Sequence, residues 1–280
     1  MRAVCDTSYQ MDFDFVISSA LKNLIKKCIS YNPKDCPTFE EIADDLKENP
    51  EFLVDIDEET FFSYVTYIDH YQSTFEKENR IIDISDYITD GSPVKQVKSV
   101  KKVSEGPPPI EALEFNEFND YRINLRDEMG DSFDDIQNLF IGGFSVMKFY
   151  TQKETNRRCG MKKSSRNLYD KNIRRMFYRE IELLANSNHP AIIPFNGFSI
   201  WNDFCYISFE AMPNGSLELY MQKCISGTQE GPTLDDTHKY IISYGVAAAM
   251  EYLHSHERLH RDLNPLKIML DEDLNLTFQA

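Results

Sequence analysis

Leu259-His260-Arg261-Asp262-Leu263-Asn264-Pro265-Leu266-Lys267-Ile268-Met269-Leu270 is the stretch from which the rest of this 280-residue chain is read. It sets a histidine, an arginine and an aspartate side by side and closes on an apolar triplet, Ile268-Met269-Leu270. The residues before it predict a helix from His238 to His256, with Gly245, Ala247, Ala248 and Ala249 supplying a face for close packing. Tyr252-Leu253-His254-Ser255-His256 leads from that helix into the stretch. His254 and His256 have no carboxylate or cysteine cluster beside them, so they are not read as a metal site.

Composition bounds what the chain can be. Hydrophobic residues make up 41%, enough for a sizeable core, and 46 Asp and Glu against 30 Lys and Arg give a formal charge of -16. Such acidity argues against nucleic acid and anionic membranes as partners. The excess is uneven: Asp/Glu against Lys/Arg runs 15 to 6 in residues 1–75, 12 to 8 in 76–130, and 19 to 16 in 131–280. The six cysteines include no C-x-x-C pair, which fits reduced thiols. Met1 to Phe15 has no apolar core of a secretory signal, and no apolar run approaches the roughly 20 residues that span a bilayer. The expectation is a cytoplasmic protein with no membrane span.

The Leu259–Leu270 stretch resembles the catalytic loop of eukaryotic protein kinases, H-R-D-L-x-x-x-N followed by an apolar triplet. The resemblance implies phosphoryl transfer from ATP to a protein substrate. Asp262 and Arg261 are then the catalytic residues, with Asp262 accepting the proton of the substrate hydroxyl as the γ-phosphoryl leaves in line. Pro265 leans toward Ser/Thr rather than tyrosine substrates. Two positions depart from the family. Lys267 stands where the asparagine that holds the second metal belongs, and Asn264 replaces the lysine that Ser/Thr kinases hold near the γ-phosphate. ATP and Mg2+ are the implied cofactors, yet no residue of this chain is assigned as a metal ligand.

The same resemblance covers residues 131–280. Leu139 to Tyr150 matches a strand, glycine loop and second strand, in which backbone amides lie against phosphates. Phe140, Gly142 and Ser145 fall on the three glycine positions, with Gly143, Phe144 and Val146 in register; taken alone, this is a hairpin with a Gly-Gly turn. Cys159-Gly160-Met161-Lys162 falls on the V-A-I-K strand and makes Lys162 the residue for the α/β-phosphates. A helix from about Lys171 carries Ile173, Phe177, Ile181 and Leu184 on one face, and Glu180 borders that face, where it can pair with Lys162. Ile192–Ile200 and Phe204–Glu210 predict a hairpin around Trp201-Asn202-Asp203. Phe209 is then the gatekeeper, and Glu210-Ala211-Met212 the hinge whose backbone contacts adenine. The expected nucleotide-contacting set is Gly142, Gly143, Val146, Lys162, Glu180, Glu210 and Met212.

Residues 1–75 predict helices. Leu21, Leu24, Ile25 and Cys28 form one buried stripe; Thr38 and Glu41 form a capping box ahead of Phe39, Ile42, Ala43 and Leu46; Phe61, Val65 and Ile68 form a third face. Periodicity alone gives a small helical bundle. Leu24-Ile25-Lys26-Lys27-Cys28 and Asn32-Pro33-Lys34-Asp35-Cys36-Pro37-Thr38-Phe39-Glu40-Glu41-Ile42 also resemble the last helices of a tyrosine-kinase-like (TKL) kinase domain, with Cys36 and Ile29 at positions where the family has arginine and tryptophan. Residues 76–130 read as a linker, with Gly91-Ser92-Pro93, Gly106-Pro107-Pro108-Pro109 and a lysine run at Lys95, Lys98, Lys101 and Lys102.

The expected fold class is α+β: a five-stranded antiparallel lobe with one helix, then an incomplete helical lobe, preceded by a helical segment. The N-terminal helices either pack on the helix holding Tyr244 to Leu253 or hang on the linker. By the family's spacing, the D-F-G aspartate falls at about Ala280 or just beyond, so 131–280 reads as a domain truncated after the catalytic loop. The resemblance implies a Ser/Thr kinase with Lys162, Glu180 and Asp262 serving one nucleotide cleft. The substitution at Lys267 opens the alternative of a pseudokinase or scaffold that binds without transferring phosphate.

Overall fold

The computed structural model describes residues 19–53, 55–80, 115–124, 138–141 and 145–278. They fall into two compact units. One takes the N-terminal helices as far as His70, the short segment His189–Ile193 and the chain from Met212 onward; the other takes the remainder.

The sheet unit has five antiparallel strands: β1 (Asn138–Ile141), β2 (Ser145–Thr151), β3 (Arg158–Ser164), β4 (Phe195–Trp201) and β5 (Phe204–Glu210). Their order is β1-β2-β3-β5-β4. β4 and β5 close on the Trp201–Phe204 pair, and both turn residues, Asn202 and Asp203, have positive φ (48° and 65°). Asn and Asp tolerate that conformation better than most residues, and such a turn matches the twist of paired strands. β4 starts at Phe195, not at Ile192. Ile192 instead makes a parallel bridge to Phe278 in the other unit's own framework, and Pro194 ends the run by offering its carbonyl to Glu210.

Between β3 and β4 lies a helix, Lys171–Ala185, begun by Asp170, whose carboxylate accepts from the amides of Asn172 and Ile173. The helix buries Ile173, Phe177, Ile181 and Leu184, the face the periodicity predicts. The linker reading of 76–130 fails at both ends. The preceding helix runs on to Arg80, and Phe115–Tyr121 forms a 3-10 turn. That turn buries Phe115 and Phe118 against Tyr178, and Phe115 also against Phe198. Tyr121 donates to the Ala185 carbonyl, and the Ile123 amide to that of Phe198. Aromatic burial of this size outweighs the polar company these residues keep in sequence. Gly106–Pro109 and the lysine run lie outside the described residues.

The helical unit contains α1 (Ser19–Cys28), α2 (Phe39–Glu48), the first half of α3 (Glu58–Arg80), then, after the sheet unit's helix α4 (Lys171–Ala185), α5 (Leu217–Ser226) and α6 (Asp236–Ser255). A small sheet, β6 (Gly215–Ser216), β7 (Ile268–Leu270) and β8 (Leu276–Phe278), runs beside them in that order. Thr38 and Glu41 make the full reciprocal capping box at the start of α2.

Of the two placements open for the N-terminal helices, packing on α6 is the one found. Leu24, Leu46, Phe61, Val65 and Ile68 share one core with Ile241, Tyr244, Ala248, Leu270 and Leu276. Tyr240 donates to the Leu46 carbonyl, the Asp57 amide donates to Thr237 Oγ1, and Phe61 meets Tyr240 and Tyr244 edge-on. Gly245 is what lets α6 come so close. A Cβ there would lie 2.6 Å from both Leu276 Cδ2 and the Tyr64 hydroxyl. Cys28 does not belong to the buried stripe of α1. It ends the helix and is exposed, and Ala20, one turn before Leu24, takes the buried place instead.

Candidate functional site

In the sheet unit the site is built on β3 and α4. Strand alternation sends Gly160, Lys162 and Ser164 to one face, and Lys162 pairs in register with Met147 on β2 and Ile207 on β5. α4 presents Glu180 beside its buried stripe. The Lys162 ammonium donates to Glu180 Oε1 at 2.6 Å and to Oε2 at 2.7 Å, with both side chains only 10% exposed. Lys162 Nζ also lies 5.9 Å from the centre of the Phe177 ring. Burial, reinforced by the charge of Glu180, pushes the Cys205 thiol well above its usual range, so it stays protonated and leaves Lys162 its carboxylate partner.

The far end of β3 shows a coupling that sequence reading missed. Gly160 is paired with Phe209, and a Cβ on Gly160 would fall 2.2 Å from Cε2 of that ring. Glycine stands where V-A-I-K has alanine because the Phe209 ring fills the space a methyl needs. Glu210, next along β5, is held from both sides: its amide donates to Pro194, and its carboxylate accepts from Arg157 at 2.6 Å. Met212 belongs to the helical unit, where it is buried and its carbonyl accepts from Gly215.

Gly142 and Gly143 lie outside the described residues. Val146 pairs with Lys163, one step out of phase with Lys162, whose partner across β2–β3 is Met147. Met147 is therefore the β2 residue in register with Lys162, and counting G-x-G-x-x-G-x-V from Phe140, Gly142 and Ser145 puts the motif's valine on Met147 as well, not on Val146.

In the helical unit, the loop between α6 and β7 carries the second group of expected residues. Arg261 adopts φ 63°, uncommon for a side chain of its kind and frequent at functional sites. Asp262 follows, its amide bonded to His260 Nδ1 at 3.3 Å, and the His260 ring meets Phe278 edge-on. Asn264 ties the loop together: its Nδ2 donates to the Asp262 carbonyl (2.9 Å) and to Oδ1 (3.1 Å), while its Oδ1 accepts from the Leu266 amide. Lys267 brings its ammonium to 3.8 Å from Asp262 Oδ2. The Asp262 side chain is 68% exposed and that of Lys267 22%. The loop is anchored where it enters β7, whose three residues are all buried.

The donor chemistry divides the implied cofactors. A buried ammonium clasped by a carboxylate suits the phosphates of a nucleotide. A metal fits less well: Lys267 can donate but has no lone pair to offer at neutral pH, so it cannot do what an asparagine oxygen would. Among the described residues, no group of three or more His, Cys, Asp or Glu gathers as a metal site. Also among them, no helix is long and apolar enough to cross a membrane.

Comparison with known proteins agrees with this arrangement. Residues 133–278 match the protein kinase domain. The chain is 27% identical over 137 residues to a probable L-type lectin-domain containing receptor kinase V.3 of Arabidopsis thaliana, covering 48% of this chain and 20% of the relative. It is 28% identical over 148 residues to cyclin-dependent kinase 1 of Encephalitozoon cuniculi (strain GB-M1), covering 53% and 49%. It is 27% identical over 135 residues to the mouse serine/threonine-protein kinase SIK1, covering 48% and 16%. The chain thus spans less than half the length of each of these relatives. A domain match that takes in more than half of the chain, on a five-stranded sheet whose lysine is paired to its helix, makes this chain a member of the protein kinase family.

Proposed function

We propose that this chain is the nucleotide-binding part of a TKL Ser/Thr protein kinase in which phosphoryl transfer is weak or absent. The Lys162–Glu180 pair carries the nucleotide half of that reading. Taking two charges out of water costs several kcal/mol per ion, and an apolar pair of similar volume would often serve stability as well. A bidentate, nearly buried pair at this strand and helix is accounted for by a task, and the task that suits an ammonium held this way is to meet phosphate oxygens. Within the sheet unit Glu210 would offer a backbone group to adenine; within the helical unit Asp262, with Arg261 shaping the loop, would accept the hydroxyl proton of a Ser or Thr substrate.

Lys267 carries the other half. Neutralising charge in the transition state is worth several powers of ten in rate. A side chain that cannot ligate Mg2+ beside Asp262 removes part of that neutralisation, which favours a binding or scaffolding role over turnover. ATP and a protein partner are the proposed ligands, and the cytoplasm the proposed setting, in keeping with free thiols at every described cysteine. The test is to incubate the purified chain with γ-labelled ATP, Mg2+ and a generic protein substrate. Label transfer should not exceed that of the Asp262→Ala variant; transfer that disappears in Asp262→Ala would establish a working kinase instead.

A further inference from the structure

We propose that the sheet unit carries a second binding site, a cavity at the start of α4 that takes an aryl phosphate, such as the side chain of a phosphotyrosine on a protein partner. None of its lining residues belongs to the nucleotide-contacting set, so the site stands independently of that reading. The cavity measures about 290 Å3, and every residue lining it belongs to the sheet unit. That volume is at the lower end of ligand-sized clefts and admits one aromatic ring with a small substituent. Phe115, Leu168 and Ile200 form its apolar wall, while Arg122, Tyr169 and Arg174 stand on its polar side. Tyr169 is 75% exposed, which leaves its ring open for an aromatic group to pack against.

The two arginines point to an anion. Arg174 Nε is buried and has no hydrogen-bond partner among the described residues. A donor left unmade in this way costs free energy that an incoming acceptor recovers. Arg122 is already set in place: its Nε donates to Asn119 Oδ1 at 2.8 Å, and its guanidinium lies 5.2 Å from the centre of the Phe198 ring. Two guanidinium forks suit the several oxygens of a phosphate better than the two of a carboxylate. Helix polarity adds a separate argument. The N-terminal end of a helix is already positive and favours acidic residues. α4 instead has Lys171, Arg174 and Arg175 among its first five residues and no acid in its first turn, in a chain of net charge -16. Asp170 caps the helix, but its carboxylate is shared with Arg166 at 3.2 Å. Asp203 also lines the cavity, its carbonyl receiving the Leu168 amide at 2.6 Å; two arginines against this one aspartate leave the lining positive.

The experiment is titration of phenyl phosphate into the isotope-labelled chain, followed by the NMR shifts of the Leu168, Tyr169 and Asn172 amides, with and without excess ATP. Phenol and inorganic phosphate are titrated in parallel. Phenyl phosphate should move these amides saturably, to the same extent in both conditions, and bind at least about tenfold more tightly than either half alone. Arg174→Gln should weaken it about tenfold, and Arg174→Lys, which keeps the charge without the fork, should recover only part of that loss. Both variants are checked for native circular dichroism. A short peptide bearing one phosphotyrosine should then move the same amides, and its unphosphorylated form should not. Inorganic phosphate binding as tightly as phenyl phosphate would reduce the site to a simple anion contact and overturn the inference; phenol binding as tightly would reduce it to an apolar cleft and overturn it too. Binding unchanged in Arg174→Gln, or abolished by ATP, contradicts it equally.

Discussion

The Lys162–Glu180 and Lys267–Asp262 pairs join the same two kinds of side chain and behave as opposites. In the sheet unit the pair is short, doubly bonded and 10% exposed on each side, clamped between a strand and a helix that both have buried stripes. In the helical unit the pair spans 3.8 Å, its aspartate 68% exposed, within a single loop. Water decides the difference. A buried pair is bound into the fold because neither partner can be left alone there, whereas an exposed pair can part at little cost and leave its members available. One pair is built into the packing of the sheet unit; the other holds an aspartate and a cation together at the surface of a single loop.

Glu180→Ala is the sharpest way to break that contrast. It leaves the Lys162 ammonium buried without its carboxylate and should destabilise the protein by about 3–5 kcal/mol, read from urea unfolding. A loss below 1 kcal/mol would show that Lys162 finds water readily and that the pair is not structural.

His189 offers an intermediate case, a single buried titratable group. Its Nδ1 accepts from the Ala191 amide at 3.1 Å, and its ring lies 4.9 Å from that of Tyr252. Burial, with His256 adding a smaller effect, lowers its pKa from 6.5 to about 4. The unfolded chain therefore binds this proton at a higher pH than the folded one. The stability this residue contributes is full above pH 6.5 and is lost as pH falls toward 4, by roughly 3 kcal/mol in all. Unfolding followed across that window should show a steeper decline for the wild type than for His189→Gln. Parallel curves would mean that the imidazole takes up its proton without disturbing the fold.

Asp262→Ala should have the smallest effect of the three on stability, under about 1 kcal/mol, because it removes only an exposed pair and one side-chain hydrogen bond within a loop. A loss comparable to that of Glu180→Ala would erase the distinction between the two pairs.

Much of this was legible in the chain. Lys162 and Glu180 are found by the order of strand and helix, and the helix stripe at Ile173, Phe177, Ile181 and Leu184 by its period. The Thr38–Glu41 box and the Asn202-Asp203 turn are local codes, which need no knowledge of the rest of the fold. What stayed hidden depends on contacts between segments distant in sequence. Phe115 and Phe118 stand in an acidic stretch without periodicity, and only Tyr178 and Phe198, some 60 to 80 residues later, explain their burial. Gly160 reads as a neutral stand-in for alanine until the Phe209 ring is found in its Cβ position. Cys28 fits the stripe of α1 by count, but at the last helical position the core has already been left behind.

The central claim is that Lys162, positioned by Glu180, binds the phosphates of a nucleotide. Titration of ATP and of adenosine into the wild type and Lys162→Ala tests it most directly, with circular dichroism confirming that the variant folds. The account predicts that Lys162→Ala weakens ATP by at least about tenfold and leaves adenosine nearly unchanged, since the lost contact is to phosphate alone. ATP binding equally well to both proteins would contradict it.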